Sequence, residues 1–322
     1  MHRPAYRPTP RRHRLTTVGA SAIAVACAVA CAVACAVASA AACSGAPVSA
    51  PTDVTTTPVP GPSPHAQETV VAAGDIGLCG GSADRTARLI DSIGGTVLAL
   101  GDQAYPAGST DDYARCYDPV WGRFKARTRP VPGNHDYMTA LAQPYYDYFG
   151  AQAGPAGRGY YSYDLGGWHL VALNSNVAYD AASPQVTWLK ADLAASSAPC
   201  VLAYWHHPRF SSGPHDSEPA LRAVWAALYA AGADVVLVAH DHLYERFAPQ
   251  DPDGKPDVTR GIRQFTAGTG GSDLYAMVNR KANSEALLSS HGVLTLTLRD
   301  GGYDWTFVPV SGAGDRGSAS CH

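Results

Sequence analysis

Aspartate and glutamate are absent from the first 42 of the 322 residues, where five arginines (Arg3, Arg7, Arg11, Arg12 and Arg14) precede an uncharged Ala/Val/Cys run from Leu15 to Ala42. A basic head followed by an apolar stretch is the pattern of an export segment. The run is long enough to span a bilayer, and Cys27, Cys31 and Cys35 in its CAVACAVACAVA repeat read as small apolar residues. A basic excess is missing from the remainder. With the five arginines set aside, 19 basic residues face 27 acidic ones, so no nucleic-acid partner is expected. Apolar residues able to build a core are scarce from Ser44 to Gln67, a Pro, Thr and Ser stretch ending in PVPGPSP that reads as an extended tether. The chain shows no second domain and no internal repeat after the export segment. Its expected organisation is therefore an export segment over 1–43, a linker over 44–67 and one domain over 68–322.

The segment Ala40-Ala41-Ala42-Cys43-Ser44-Gly45 resembles a lipobox, in which Cys43 would carry the lipid. A cleaved secretory peptide and a retained anchor suit the same residues. All three place the domain outside the cytoplasm, as an extracellular or cell-surface protein whose membrane contact runs only through this segment or a lipid on Cys43. In an oxidising compartment the domain's four cysteines, Cys79, Cys116, Cys200 and Cys321, favour two disulfides, but four cysteines allow three pairings and the sequence does not choose.

Within the domain, five short motifs each follow an apolar run that reads as a β-strand. They are GDIG after ETVVAA, GDQAY after TVLAL, GNHD after RPVP, HHP after CVLAYW, and HDH after DVVLVA. If these runs are strands of one sheet system, their carboxyl ends bring Asp75, Asp102, Tyr105, Asn134, His135, His206, His207, His240 and His242 to one rim, where open α/β sheets bind ligands. Carboxylates, imidazoles and a phenol in that number suit two metal ions sharing an anionic bridge. Between the motifs lie helical patterns at Ser82–Ile93, from the Ser183-Pro184 cap through Leu193, and from Ser217 to Gly232. GVLTLTLRD and GGYDWTFVPV alternate like an antiparallel hairpin. Strand, motif, helix, strand is the α/β rhythm.

These residues in this order resemble the calcineurin-like metallophosphoesterases, and among them the purple acid phosphatase branch, over about residues 69–310. That branch replaces the histidine of a first Asp-x-His by a non-ligand and supplies a tyrosinate three residues after the bridging aspartate. Asp75-Ile76-Gly77 and Asp102-Gln103-Ala104-Tyr105 have that form. Ala239 departs from the usual glycine before the His-x-His. The resemblance implies an α/β fold of two mixed β-sheets packed as a sandwich and flanked by helices. It implies two metal ions bridged by Asp102, with Asp75, Tyr105 and His242 around Fe(III), and Asn134, His206 and His240 around Zn, Mn or Fe(II). His-x-Pro selects His206 as the ligand and leaves His207 a structural or supporting role. His135 and, nine residues beyond His206, His215 are the expected catalytic residues, with Asp136 orienting the His135 ring.

Arg209 and Arg246 follow the last two motifs and are candidates for phosphate oxygens. The GTGG run at 268–271 is a candidate for anion contact through its N–H groups. Cys79 and Cys116 flank site loops, so their pairing would clamp the rim and leave Cys200 with Cys321. The implied activity is hydrolysis of small phosphate monoesters by a metal-bound hydroxide. Phosphodiester or nucleotide hydrolysis on the same core is one alternative, and a surface-tethered, non-catalytic binding protein with a structural metal site is another. The sequence gives no oligomeric state.

Overall fold

The computed structural model describes residues 66–155, 157–276 and 279–322. The export segment, Cys43 and the linker up to residue 65 lie outside the described residues. Alternation along the strands sets the layers. In β1 (Glu68–Ala73), Val70 and Ala72 face one way and Val71 and Ala73 the other, and all four are buried. A strand buried on both faces must be covered on both, which calls for a layer of sheet on one side and helix on the other.

Two mixed sheets meet that demand. The first has β13 (Asp315–Ser320), β12 (Gly302–Pro309), β11 (Gly292–Arg299), β1, β2 (Thr96–Leu100) and β3 (Thr128–Val131) in that order. The second has β10 (Ser284–Leu288), β8 (Tyr244–Phe247), β9 (Arg263–Ala267), β7 (Val235–Val238), β6 (Cys200–Tyr204), β5 (Trp168–Ala172) and β4 (Tyr161–Leu165). β1, β2 and β3 run parallel, as do β5, β6, β7 and β9. The expected hairpin is β11 paired with β12, from Gly292 opposite Pro309 to Arg299 opposite Gly302.

Between the sheets Val70, Leu98, Leu202, Leu237, Phe265, Leu296, Trp305 and Phe307 form one continuous core. Truncating a leucine there to alanine costs about 2–5 kcal/mol. On the outer face of the first sheet, the helix Ala83–Asp91 lays down Ala83, Thr86, Ala87 and Ile90. These fall at i, i+3, i+4 and i+7, so Thr86 takes the inward place and Leu89 is only partly buried. On the outer face of the second sheet, the helix Pro184–Ala195 is capped by Ser183, whose side chain accepts the Val186 N–H at 3.3 Å.

The helix expected from Ser217 starts later, at Arg222, after a 3₁₀ turn at Pro219–Leu221. Pro219 disfavours the helical region for Glu218, which is extended at φ −97°, ψ 94°. The Ser217 hydroxyl accepts the Ser211 N–H instead of capping a helix. Among the described residues there are two disulfides, Cys79–Cys116 and Cys200–Cys321. The second joins the start of β6 to the residue after β13, one sheet to the other.

Candidate metal centre

Each motif follows directly on the carboxyl end of a strand: Asp75 after β1, Asp102 after β2, Asn134 after β3, His206 after β6, and His240 and His242 after β7. The parallel registers align these ends within each sheet, and His240 N–H on Asp75 Oδ2 and His206 Nδ1 on Leu100 O join the two sets at a common rim. Three of the residues sit in the left-handed region, Asp75 at φ 58°, Asp102 at φ 50° and His240 at φ 69°. Such conformations cost of order 1–3 kcal/mol each and persist only where the surroundings impose them. Here the imposing contacts are interlocked. Asp75 N–H donates to Gly101 O at 3.1 Å, Asp102 N–H to Asp136 Oδ2 at 3.1 Å, and His240 N–H to Asp75 Oδ2 at 2.9 Å.

Two glycines make room for the arrangement. Gly101 lies at φ 91°, and a Cβ there would run into the His206 ring. A Cβ on Gly74 would meet Cβ of Ala239 at 2.5 Å, so the alanine that replaces the family's glycine at 239 fits because position 74 is bare.

The side chains converge in two groups. In the first, Tyr105 Oη stands 2.9 Å from Asp75 Oδ1, 3.1 Å from Asp102 Oδ2 and 3.2 Å from His242 Nε2. In the second, His206 Nε2 stands 3.1 Å from Asn134 Oδ1, 3.2 Å from His240 Nδ1 and 3.4 Å from Asp102 Oδ2. Asp102 Oδ2 therefore faces both groups. Its other oxygen accepts the His135 N–H at 2.8 Å. Ring orientation is fixed from behind: His206 Nδ1 donates to Leu100 O at 2.8 Å and His242 Nδ1 to Asp273 O at 2.6 Å, which turns each Nε2 into the site.

The electrostatics suit cations. Burial, then the charges of Asp75 and Asp102, drives the Tyr105 phenol far above its ordinary value. Burial opposes the charged form of Asp102, yet His206 and then His135 hold that carboxyl well below the usual range. Burial also works against a charged His206, but Asp102 outweighs it and raises the ring to about 9. His240 is pushed well down by burial and the charge of His206, and His207 falls to about 3 for the same two reasons. Two buried carboxylates, imidazoles and an amide oxygen turned on common centres are a donor set that metal ions fit.

The remaining expected residues divide. His135 packs its ring on Tyr105, centroids 4.4 Å apart, with Nδ1 2.5 Å from Pro106 O and Nε2 3.9 Å from Asp102 Oδ2. Asp136 does not touch that ring, because its oxygens accept Asp102 N–H, Gly133 N–H and Tyr113 Oη–H. It anchors two site loops instead, and burial followed by the charge of Asp102 lifts its carboxyl to about 7. His207 and His215 lie on the His240 ring at 4.4 and 4.3 Å between centroids.

Neither arginine joins the cluster. Arg246 pairs with Asp315 at 2.7 Å and with Glu285 and lies over Trp305, while Arg209 donates to Pro252 O at 3.2 Å and covers Phe210. Along GTGG, Gly268 and Gly270 spend their N–H groups on Leu243 O and Gly74 O, so that run is a packed turn. Two rim residues escaped the sequence reading. Tyr275 stacks on His242 at 4.0 Å and 9°, and buried Asp241 contacts His215. Asp241 stood in plain view as the centre of the HDH motif, whereas no local pattern marks Tyr275.

A family model described as calcineurin-like phosphoesterase matches residues 68–244. Purple acid phosphatase 15 of Arabidopsis thaliana is 34% identical over 145 residues, 39% of this chain and 27% of that protein. Purple acid phosphatase 18 of the same plant is 34% identical over 119 residues, 35% of this chain and 27% of that protein. The chain thus spans about a quarter of the length of these curated relatives. The structure of purple acid phosphatase PPD1 from yellow lupin (Lupinus luteus) seeds superposes with a TM-score of 0.67 at 17% identity, covering 79% of this chain and 54% of that one. The fold is shared with that protein, the family model covers more than half of the sequence, and this chain belongs to the calcineurin-like phosphoesterase family.

Proposed function

We propose that the chain is an exported phosphatase that hydrolyses small phosphate monoesters at a dinuclear metal centre. The observation that carries this reading is the position of Asp102 Oδ2, 3.1 Å from Tyr105 Oη and 3.4 Å from His206 Nε2. One carboxylate oxygen placed against both donor groups suits a bridge. Asp75, Tyr105 and His242 would hold one ion, and Asn134, His206 and His240 the other. When bound, the ions would supply positive charge to phosphoryl oxygens and lower the pKa of a water. A phenolate ligand beside hard carboxylates suits Fe(III), and the Asn134, His206 and His240 set suits Zn, Mn or Fe(II).

The chain's own groups at the rim are His135 and His215. His135 is fixed by Pro106 O and the Tyr105 ring and has its Nε2 on the Asp102 side. Both imidazoles are placed to give a proton to a departing alkoxide, a role worth about 10²–10⁴-fold in rate. Likeness to phosphatases supports the monoester reading. Two disulfides support export, since such bonds persist in oxidising compartments.

Metal analysis alongside hydrolysis of p-nitrophenyl phosphate, its bis ester and ATP tests the reading. Two ions per chain and turnover of the monoester above the other two are expected. Preference for the bis ester or for ATP would move the activity to diesters or nucleotides, and full metal occupancy without turnover would leave a binding protein.

A further inference from the structure

His215 is the exposed member of the histidine cluster, its side chain 43% accessible, yet its other nitrogen rests on a carboxylate that is fully buried. Asp241 Oδ1 lies 3.1 Å from His215 Nδ1 and accepts the His215 backbone N–H at 3.1 Å. Its Oδ2 accepts the Ser211 hydroxyl, and Gly213 crosses so close that a Cβ there would overlap the carboxylate. A second buried acid holds the same turn. Glu245 accepts Ser212 N–H at 2.9 Å and the Ser212 hydroxyl at 2.5 Å. The ring itself is packed against His240 at 4.3 Å and Tyr275 at 5.2 Å. A carboxylate can only accept, so Nδ1 carries the hydrogen and Nε2 is the nitrogen left for a substrate.

We propose that Asp241 is a positioning residue for the phosphatase reaction: by holding Nδ1–H of His215 it fixes the ring so that Nε2 delivers its proton to the leaving-group oxygen. This rests on the function proposed above. In the step, the His215 Nε2–H bond breaks and an O–H bond forms on the leaving oxygen. The P–O bond breaks with its electron pair going to that oxygen, a new P–O bond forms to water, and the proton that water loses passes to solvent, from which His215 Nε2 is reprotonated. Nδ1–H stays with Asp241 throughout. The arm that carries His215 is latched at Ser211 and Ser212, so the ring is placed before substrate arrives.

A general acid matters in proportion to the basicity of the group that leaves, and this separates orientation from structure. Asp241→Asn, His215→Ala and the double variant are compared on p-nitrophenyl phosphate, whose phenolate leaves unaided, and on glycerol phosphate, whose alkoxide does not. In both single variants kcat on glycerol phosphate should fall about 100-fold, with a clearly smaller loss on the aryl ester, metal content as in the wild type, and no further loss in the double variant. Equal losses on the two esters, additive losses, or a fall in metal content that accounts for them would overturn the proposal. Ser211→Ala removes the other partner of Asp241 and leaves the histidine contact. It should keep the wild-type ratio between esters, and an Asp241→Asn-like ratio would assign the effect to the loop rather than to the ring.

Nitrogen-15 NMR of the His215 ring reads the tautomer without turnover. Nδ1–H is expected in the wild type and its loss in Asp241→Asn, while Nε2–H alone in the wild type would refute the contact. A wild type that shows Nδ1–H but hydrolyses neither ester would overturn the phosphatase reading and, with it, the proton transfer, leaving only the contact.

Discussion

Tyr105 Oη lies within 3.2 Å of Asp75, Asp102 and His242, so replacing it removes one donor and little volume. In Tyr105→Phe the ring keeps its packing on His135. An iron-loaded wild type should show a visible band from phenolate-to-iron charge transfer, and Tyr105→Phe should lose it, bind the first ion more weakly and still melt cooperatively. A spectrum unchanged by the substitution would make Tyr105 a packing residue. The adjacent histidines should part in the same way. His206 has Nε2 turned into the second donor group, whereas His207 Nδ1 lies 2.8 Å from Ser175 Oγ. His206→Ala should therefore lower the content of one metal and most activity, and His207→Ala should retain the metal. The reverse pattern, read by metal analysis of both variants, would exchange their roles.

At the scale of elements, the loop after β2 is shaped by a residue with no side chain. Gly101 combines φ 91° with the His206 ring where a Cβ would stand. Gly101→Ala should cost at least about 1 kcal/mol from the left-handed backbone alone, and should also tilt the His206 ring and weaken metal retention. An urea midpoint and metal content equal to wild type would show that the loop relaxes freely. On the outer side of the second sheet, His169 of β5 ties Asp164 of β4 at 2.7 Å to Asp192 of the helix Pro184–Ala195 at 2.9 Å. Burial opposes its charge, but the two carboxylates prevail and its pKa is raised. A group raised in the folded state contributes stability that is complete below its unfolded value near 6.5 and is lost as pH climbs through the folded value. The Tm should therefore decline over that window, and His169→Gln should flatten the decline. A wild-type Tm that rises across it would refute the assignment.

For the whole molecule, Cys200–Cys321 spans 121 residues and joins the two sheets at the amino end of β6, away from the carboxyl-end rim. Closing a loop of that length is worth about 5 kcal/mol on chain entropy. Cys200→Ser with Cys321→Ser should lower the unfolding free energy obtained from a urea titration by that much, with a lower midpoint, and leave turnover at 25 °C as in the wild type. A loss of turnover with an unchanged midpoint would mean that the bridge acts on the site rather than on the fold. The two disulfides differ in reach, since Cys79–Cys116 joins segments 37 residues apart, both on the outer side of the first sheet.

The order of strands and motifs was legible in the chain because each strand end is written locally, as an apolar run stopped by Gly-Asp, Gly-Asn or a histidine pair. Once such runs lie parallel, the motifs of each sheet share one edge, and packing of the two sheets brings the seven donors to one rim. Local residues also set the Ser183 cap and the β11–β12 hairpin. What the chain could not state is which partner each polar group finds across long separations. Asp136 turns to Asp102 and Tyr113 instead of the neighbouring His135 ring, because the β3 loop folds back on the β2 loop. Arg246 follows the HDH motif by four residues, but strand β8 carries it to Asp315, 69 residues on. Tyr275 reaches His242 from a loop with no periodicity, and Asp241 meets His215 only because a turn latched by two buried acids brings them together. Sequence by itself determined the inventory of donors and their order along the rim, since both follow from local alternation and turn chemistry. Tertiary structure alone decided which nitrogen faces inward and which charges are spent elsewhere, since those depend on sheet register and on contacts between segments tens of residues apart.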